Sequence, residues 1–523
     1  MNENNKNFPD KDHSICQARV FFKDLAGQKE LKLKKTLSLN LFFNFILNKF
    51  HSNLLELIEK IIGTKLYIFI DNSYLLNISQ RAKEISTNLI QERIIKKITK
   101  VSRFFPDEPE IIQYQVEMPS TLPDISFYSD GRGTSSKFGG GADLNEERAF
   151  MKTIGEGLER FCICIYREKT CLLSNYEKIS KKSLDPLSFA GISDNQRKLS
   201  KRLRIDEKSI FRWVKGFSLI SKKEVLIPAQ LVYIGYKYYS QEPIIQQQLS
   251  TGAAAADSFE EALYKGICEA VERDAFMITY FNKLSIPLIN LEIIDNKEFQ
   301  KLLAMFRRYK LELFVLEITT NINIPSFMAV IIDRSGIGPV VHVGTKTSLN
   351  IENAIVGVVY EALRGKLGSR KRLSLIDKQE EKIKSLRADS SKIKTFSDRT
   401  LFWNSLDMIN KIEFIFKGSK KEFNKKELKK YKNTPIKEKL KIAVDLCQER
   451  DINLYGVDVT IPQIRKEGIY VAKVLSPQLQ PLYFNEEIKH LYGKRLFDVP
   501  VILGYYKKAL SKDKLNSLPH PFL

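Results

Sequence analysis

The sequence is poor in the residues that build disulfide and metal–thiolate frameworks. Its 523 residues hold six cysteines and five histidines. Cys16, Cys162, Cys164, Cys171, Cys268 and Cys447 form no paired Cys-x-x-Cys motif at zinc-site spacing. His13, His51, His342, His490 and His520 are far apart, so neither a His/Cys metal motif nor a His-based nucleophile motif is readable. Cysteines scattered through a large chain point to reduced thiols and a cytoplasmic location. A Gly-x4-Gly-Lys-Ser/Thr segment is missing, so any nucleotide site is not a P-loop. The start, Met1 to Asp12, lacks the apolar core of a signal peptide. No apolar run reaches the roughly 20 residues that a bilayer crossing needs. The best candidate, Leu37 to Ile62, is interrupted by Asn40, Asn44, Asn48, Lys49, His51 and Glu56, and reads as an amphipathic helix of a soluble protein. No membrane association is expected.

What is present begins with size and charge. At 43% apolar content the chain is long enough for a large core and for two or three structural units. The net charge is +22, but the basic residues are spread along most of the chain. The densest block, Lys417 to Lys441, reads as a solvated face, and a nucleic-acid partner is not expected. Residues 1–95 form a first unit of unknown role, with a strand at Leu66–Ile70 rich in β-branched and aromatic residues. From residue 96 the pattern becomes glycine-marked loops, helices and short strands. Candidate strands are Lys223–Pro228, Leu231–Gly235, Leu313–Thr319 and Met328–Ile332. This alternation predicts an α/β fold of mixed sheets with flanking helices. Residues 366–440 read as a charge-rich insertion or helical lid, and residues 506–523 as an extended, proline-containing tail.

One device occurs twice. In the first copy, Gly139-Gly140-Gly141 leads into Asp143 and Glu146, an N-capping pair, and then into Glu156-Gly-Leu-Glu159-Arg160. Phe150, Ile154, Leu158, Phe161 and Ile165 recur at i+3 and i+4 steps and form one apolar stripe, which leaves Glu156 and Glu159 together on the other side. In the second copy, Ser250-Thr-Gly-Ala-Ala-Ala-Ala leads to a capping pair, Ser258 and Glu261, and then to Glu269-Ala-Val-Glu272-Arg273. Leu263, Ile267, Ala270 and Val271 make its apolar stripe. A single Glu-x-x-Glu-Arg on a helix is usually a solvated face. Two copies in matched contexts point instead to converging carboxylates for a hard cation such as Mg2+, with arginines and glycine-loop amides for phosphate.

These segments resemble the paired signatures of the YcaO superfamily. The similarity continues through His342-Val-Gly, Glu361-Ala-Leu-Arg364, Asp458-Val-Thr and Tyr470-Val-Ala-Lys473, and so covers roughly residues 96–523. The tail Leu518-Pro-His-Pro-Phe and the lead-in Phe105-Pro-Asp-Glu-Pro109 resemble the maturases of thiazole/oxazole-modified peptides. The resemblance implies a duplicated, non-P-loop ATP domain over residues 96–505 and an ATP- and Mg2+-dependent cyclodehydratase. Such an enzyme converts Cys, Ser or Thr of a ribosomally made peptide to azolines by phosphorylating the backbone amide oxygen. By motif match Glu156, Glu159, Glu269 and Glu272 would hold Mg2+. Gly141, Lys152, Arg160, Ser250, Arg273 and Arg364 would meet ATP, and Pro519, Pro521 and Leu523 would bring the tail to the reaction. The family also carries thioamide- and amidine-forming activities, and a non-catalytic, peptide-recruiting subunit is the remaining alternative. The sequence departs from the family at Lys152, where many relatives have serine, at the Gly139–Gly141 loop, where many have Gly-Lys-Gly, and at the terminal Leu523. Expected partners are a leader-bearing precursor peptide, a separate leader-binding protein resembling a ubiquitin-activating enzyme, a flavin dehydrogenase, and a second copy of the chain as a homodimer.

Overall fold

A computed structural model describes residues 20–22, 66–68 and 78–522, less residues 102, 104, 120, 123–124, 127–137, 167 and 190. The amphipathic stretch at 37–62, Lys137 and Leu523 lie outside the described residues. The chain divides into Met1–Ile78 and Ser79–Leu523. In the first unit, Val20–Phe22 pairs antiparallel with Leu66–Ile68, which lies within the strand expected at Leu66–Ile70. The boundary falls earlier than residue 95. The reason is the helix Gln80–Gln91, capped by Ser79, which buries Ala82, Ile85 and Leu89 and ties Asn88 to Glu467 at 3.0 Å, within the second unit.

Three larger sheets organise the second unit, beside a two-stranded one at Thr121–Leu122 and Ile125–Ser126. Lys97–Lys100, Ile112–Glu117 and Phe138–Asp143 form one. Another runs in the order Glu224–Pro228, Ile210–Ser218, Tyr455–Asp458, Tyr470–Leu475, Ala253–Ala256, with Leu172–Asn175 paired to the second of these. The last runs Val341–Thr347, Ser326–Ile332, Glu312–Glu317, Leu288–Ile289, Lys420–Lys421. Most pairings are antiparallel, and the mixed α/β class expected from sequence is the one observed.

The functional part of the fold is a strand–turn–helix unit used three times. Strand β1 (Phe138–Asp143) precedes helix α1 (Glu146–Ile163). Strand β2 (Ala253–Ala256) precedes α2 (Phe259–Phe281), and β3 (Val341–Thr347) precedes α3 (Ile351–Ser374). Each helix packs on its own strand and also on a strand of another unit: α1 on β2, α2 on β3, and α3 on β1. The three units therefore close a ring. The apolar stripes drive this. Phe150, Ile154, Leu158 and Phe161 of α1 are completely or almost completely buried, worth about 1.5–3 kcal/mol each before entropy costs. In α2, which lies between strands of two sheets, the buried residues continue nearly all round from Asp274 to Phe281.

Glycine sets how closely the strands approach the helices. A Cβ on Gly141 would sit 2.5 Å from the Ala149 carbonyl oxygen and 2.6 Å from the Thr153 nitrogen. One on Gly344 would sit 2.6 Å from the Ala362 nitrogen. The small-residue segments Gly139–Gly141 and Ala253–Ala256, expected as ligand-binding loops, are thus strands running under helices. The caps differ in one copy. Ser258 caps α2 as expected, accepting from the Glu261 amide, whereas Asn145, not Asp143, caps α1.

Other boundaries shift too. Leu231–Gly235 is no strand, because the chain turns into the short helix Ala229–Val232 straight after Pro228. Residue 366 falls inside α3, where Lys366 is 3% exposed and bonds Asp333 at 2.7 Å, so the charge-rich region begins as core. Beyond it come the helices Gln379–Ala388, Phe396–Phe402 and Ile436–Gln448 with shorter turns between them. The tail makes a single turn at Lys512–Lys514 and is otherwise extended, with Pro519 to Phe522 buried.

Candidate active site

The inner faces of the ring border one cavity of about 920 Å3. Glu156 and Glu159 of α1, Glu269 and Glu272 of α2, and Glu361 of α3 all line it. So do Lys152, Arg160, Arg273 and Arg364, with Ser250 at the turn before β2. All four glutamates and five of the six predicted ATP contacts are therefore brought together. Gly141 is not, because it is packed beneath α1. The far end is apolar, formed by Leu249, Phe396, Leu482, Phe484 and Phe522. Pro519 and Pro521 are buried but do not line the cavity, so of the described tail residues it is Phe522 that borders it.

The carboxylates sit in different electrostatic settings. Burial would raise Glu156, but Arg160 at 2.5 Å and Arg364 at 2.5 Å, together with the Gly140 amide, hold it down to about 2. Burial likewise opposes ionisation of Glu361, and Arg364 and Lys346 keep its carboxyl below the usual range. Glu159 is pushed well up by burial and by the Glu269 and Glu156 carboxylates. Glu269 is also raised, chiefly by burial, although it bonds Arg273 at 3.0 Å and accepts from the Gly252 amide. Glu272 is 5% exposed and fully engaged. It accepts from the Thr345 hydroxyl at 2.7 Å, from the Thr347 amide at 2.9 Å, and from Arg273.

Crowded carboxylates of this kind have unmet demand for positive charge. Among the described residues no group of three or more His, Cys, Asp and Glu side chains is gathered tightly enough to hold a metal ion. The arginines hold Glu156, Glu269 and Glu272 individually instead. The donor set still fits a hard cation, being all oxygen and shared between two facing helices. Lys152 bonds Asp143 at 2.7 Å and lies 5.2 Å from the Tyr360 ring centroid, and Arg273 lies 4.4 Å from the Phe522 ring centroid.

Sequence reasoning did not single out two lysines of the site. Lys346 stands between Glu361, Glu272 and Glu269, whose charges raise it against the effect of burial. Lys473 is 1% exposed, donates to the Leu249 and Thr251 carbonyls at 2.7 and 2.6 Å, and is lowered by burial to about 8. The available signal was the run Val343-Gly-Thr-Lys-Thr347 at the end of a strand that leads into a helix, the same order as in the two Glu-x-x-Glu-Arg units.

Residues 140–480 match the profile of the YcaO cyclodehydratases, described as ATP- and Mg2+-binding. The chain belongs to the YcaO family. Among curated relatives, a stretch of 122 residues is 31% identical to an uncharacterised protein in the tfuA 3' region of Rhizobium leguminosarum bv. trifolii, covering 23% of this chain and 29% of that one. Two solved structures share the fold. A heterocyclase in complex with substrate and cofactor superposes with a TM-score of 0.67 at 20% identity, over 85% of this chain and 57% of that one. The YcaO protein of Methanopyrus kandleri, bound with AMPPCP and Mg2+, superposes at 0.52 with 15% identity, over 76% and 90%. This YcaO chain thus spans about half the length of the heterocyclase and under a third of the Rhizobium protein. Among its described residues no helix is long and apolar enough to cross a membrane.

Proposed function

We propose that this YcaO protein is an ATP-dependent cyclodehydratase that forms azolines from Cys, Ser or Thr residues of a ribosomally made peptide. The observation that carries the proposal is the ring of three strand–helix units, which sets Glu156, Glu159, Glu269 and Glu272 against Arg160, Arg273 and Arg364 in one cavity. In this reading the four glutamates hold Mg2+, and the arginines, Lys152 and Ser250 meet the nucleotide. When bound, Mg2+–ATP supplies the phosphoryl group that turns an amide oxygen into a leaving group. The chain's own residues provide positioning and charge neutralisation. Arg160 and Arg364 are fixed by Glu156, and Arg273 by Glu269 and Glu272, so their guanidinium groups are pre-oriented. The apolar end at Phe396, Phe484 and Phe522 keeps water from the peptide. The tail reaches the site through Phe522, whose ring lies 4.4 Å from Arg273.

The proposal includes a leader-bearing precursor peptide, a leader-presenting partner protein, a flavin dehydrogenase acting on the product, a homodimer, and a cytosolic setting. The test is phosphate release by the purified protein with its precursor peptide, followed by mass spectrometry. Release that needs both peptide and Mg2+, with loss of one water per residue modified, supports ring closure. A mass gain equal to sulfur replacing oxygen assigns thioamide formation instead. No peptide-dependent release of phosphate overturns both.

A further inference from the structure

The C-terminal tail is held by side chains that sequence reasoning placed in an insertion of unassigned role. Arg399, on the helix Phe396–Phe402, is completely buried. It donates to the His520 carbonyl at 2.9 Å, the Phe484 carbonyl at 2.8 Å and the Glu486 carboxylate at 2.7 Å, and Glu486 is itself 3% exposed. The Pro519 carbonyl accepts twice, from Trp403 Nε1 at 3.0 Å and from the Tyr280 hydroxyl at 3.0 Å. The His520 ring reaches the Tyr483 carbonyl at 2.7 Å. Past these anchors Phe522 pairs with Val343 of β3, packs 5.2 Å from Phe276 and lies against Arg273.

A completely buried arginine with two backbone carbonyls and one buried carboxylate is costly unless every partner is present. The contact is therefore specific to the seated tail. It also lies two residues from Phe522, the tail side chain that touches the cavity among the described residues. We propose that Arg399, Trp403 and Tyr280 are positioning residues that seat residues 518–522, and through Phe522 fix the plane of Arg273 in the active site. The chain from clamp to cavity is continuous: Arg399 and Trp403 hold the backbone at 519–520, the backbone places Phe522, and Phe522 covers Arg273. The inference rests on the proposed function only for the role of Arg273; the seating itself does not depend on it.

The test uses the full chain with Tyr280→Phe and Trp403→Phe. Tyr280→Phe keeps its ring and is expected to fold, Trp403→Phe puts a smaller ring in a buried site and is checked for folding by circular dichroism, and each removes one donor to Pro519. Trimming by carboxypeptidase, followed by intact mass, reads the seating without nucleotide. Each lost bond is expected to speed removal of residues 519–523 by about 3- to 10-fold, because one of the two hydrogen bonds to a buried carbonyl is lost, and only the double variant leaves that carbonyl without a donor from these two side chains. The double variant is expected to trim faster still. Peptide-dependent ATP hydrolysis then reads the consequence. Both substitutions lower kcat in the full chain, and neither lowers it further in a chain truncated after Leu518. Equal trimming of wild type and both variants overturns the seating. Losses of kcat that persist unchanged in the truncated chain assign Tyr280 and Trp403 a merely structural role and overturn the coupling. If wild type hydrolyses no ATP while the variants still trim faster, the functional reading fails and the seating stands.

Discussion

Acid should weaken this protein as pH falls below 6.5, and three buried histidines drive the loss. His342, His490 and His520 are each at most 1% exposed. Burial, with Arg372 and Lys366 nearby, lowers His342 to about 3. Burial and Arg197 lower His490 to about 3, and burial and Arg399 lower His520 well below the usual range. The folded state therefore keeps these rings neutral, while the unfolded chain protonates them near 6.5. Their contribution is fully present above that value and is lost as pH falls. Each histidine removes about 1.4 kcal/mol per pH unit below 6.5, and three together about 4 kcal/mol per unit. Against a typical stability of roughly 5–15 kcal/mol, the margin is gone within a few pH units. Urea unfolding followed by circular dichroism from pH 8 to pH 5 measures the slope. His490→Phe isolates one proton, since neither ring nitrogen of His490 has a hydrogen-bond partner among the described residues. That variant should lose about a third of the slope below pH 6.5 and be little changed at pH 8. A stability flat from pH 7 to pH 5, or a slope unchanged in His490→Phe, would refute the reasoning.

Two further outcomes follow from the packing of the ring. Gly141→Ala drives a methyl into the Ala149 carbonyl and Thr153, so it should cost about 1–3 kcal/mol or more while leaving nucleotide affinity of the folded fraction intact. Loss of affinity without loss of stability would instead make Gly141 a ligand contact. Arg364→Met removes one of two arginines from Glu156 and one donor from the Gly140 carbonyl, and should cost on the order of 2 kcal/mol at neutral pH, read as a fall in the urea midpoint. An unchanged midpoint would mean that Glu156 needs only Arg160.

Much of this fold was legible because its helices are amphipathic at period 3.6. The stripe Phe150–Ile154–Leu158–Phe161 and its counterpart in α2 were readable, and with them the placement of the glutamate pairs on the opposite face. Strands with alternating or β-branched residues, such as Ser326–Ile332, were readable too. The strands at Gly139–Gly141 and Ala253–Ala256 were not, since small residues carry no β signal; they are chosen for the close approach of a helix above. The third unit was legible only through the resemblance at His342-Val-Gly and Glu361-Ala-Leu-Arg364, because Lys346 and Glu361 lack the Glu-x-x-Glu-Arg pattern and act through charge across the ring. Residues 366–440 looked like a solvated insertion because lysine dominates them. Lys366, Arg370 and Arg399 are nonetheless core residues with acidic or carbonyl partners far away in sequence, which composition does not reveal.

The central claim is that these glutamates form a Mg2+-dependent nucleotide site. Calorimetry with AMPPCP, with and without Mg2+, tests it on the wild-type chain and on Glu272→Gln. The amide keeps the shape that meets Thr345 and Thr347 but loses the charge. The account predicts binding that requires Mg2+ and weakens about 10- to 100-fold in Glu272→Gln. Binding that is equally tight without Mg2+ or in Glu272→Gln, or no binding by the wild type, would contradict it.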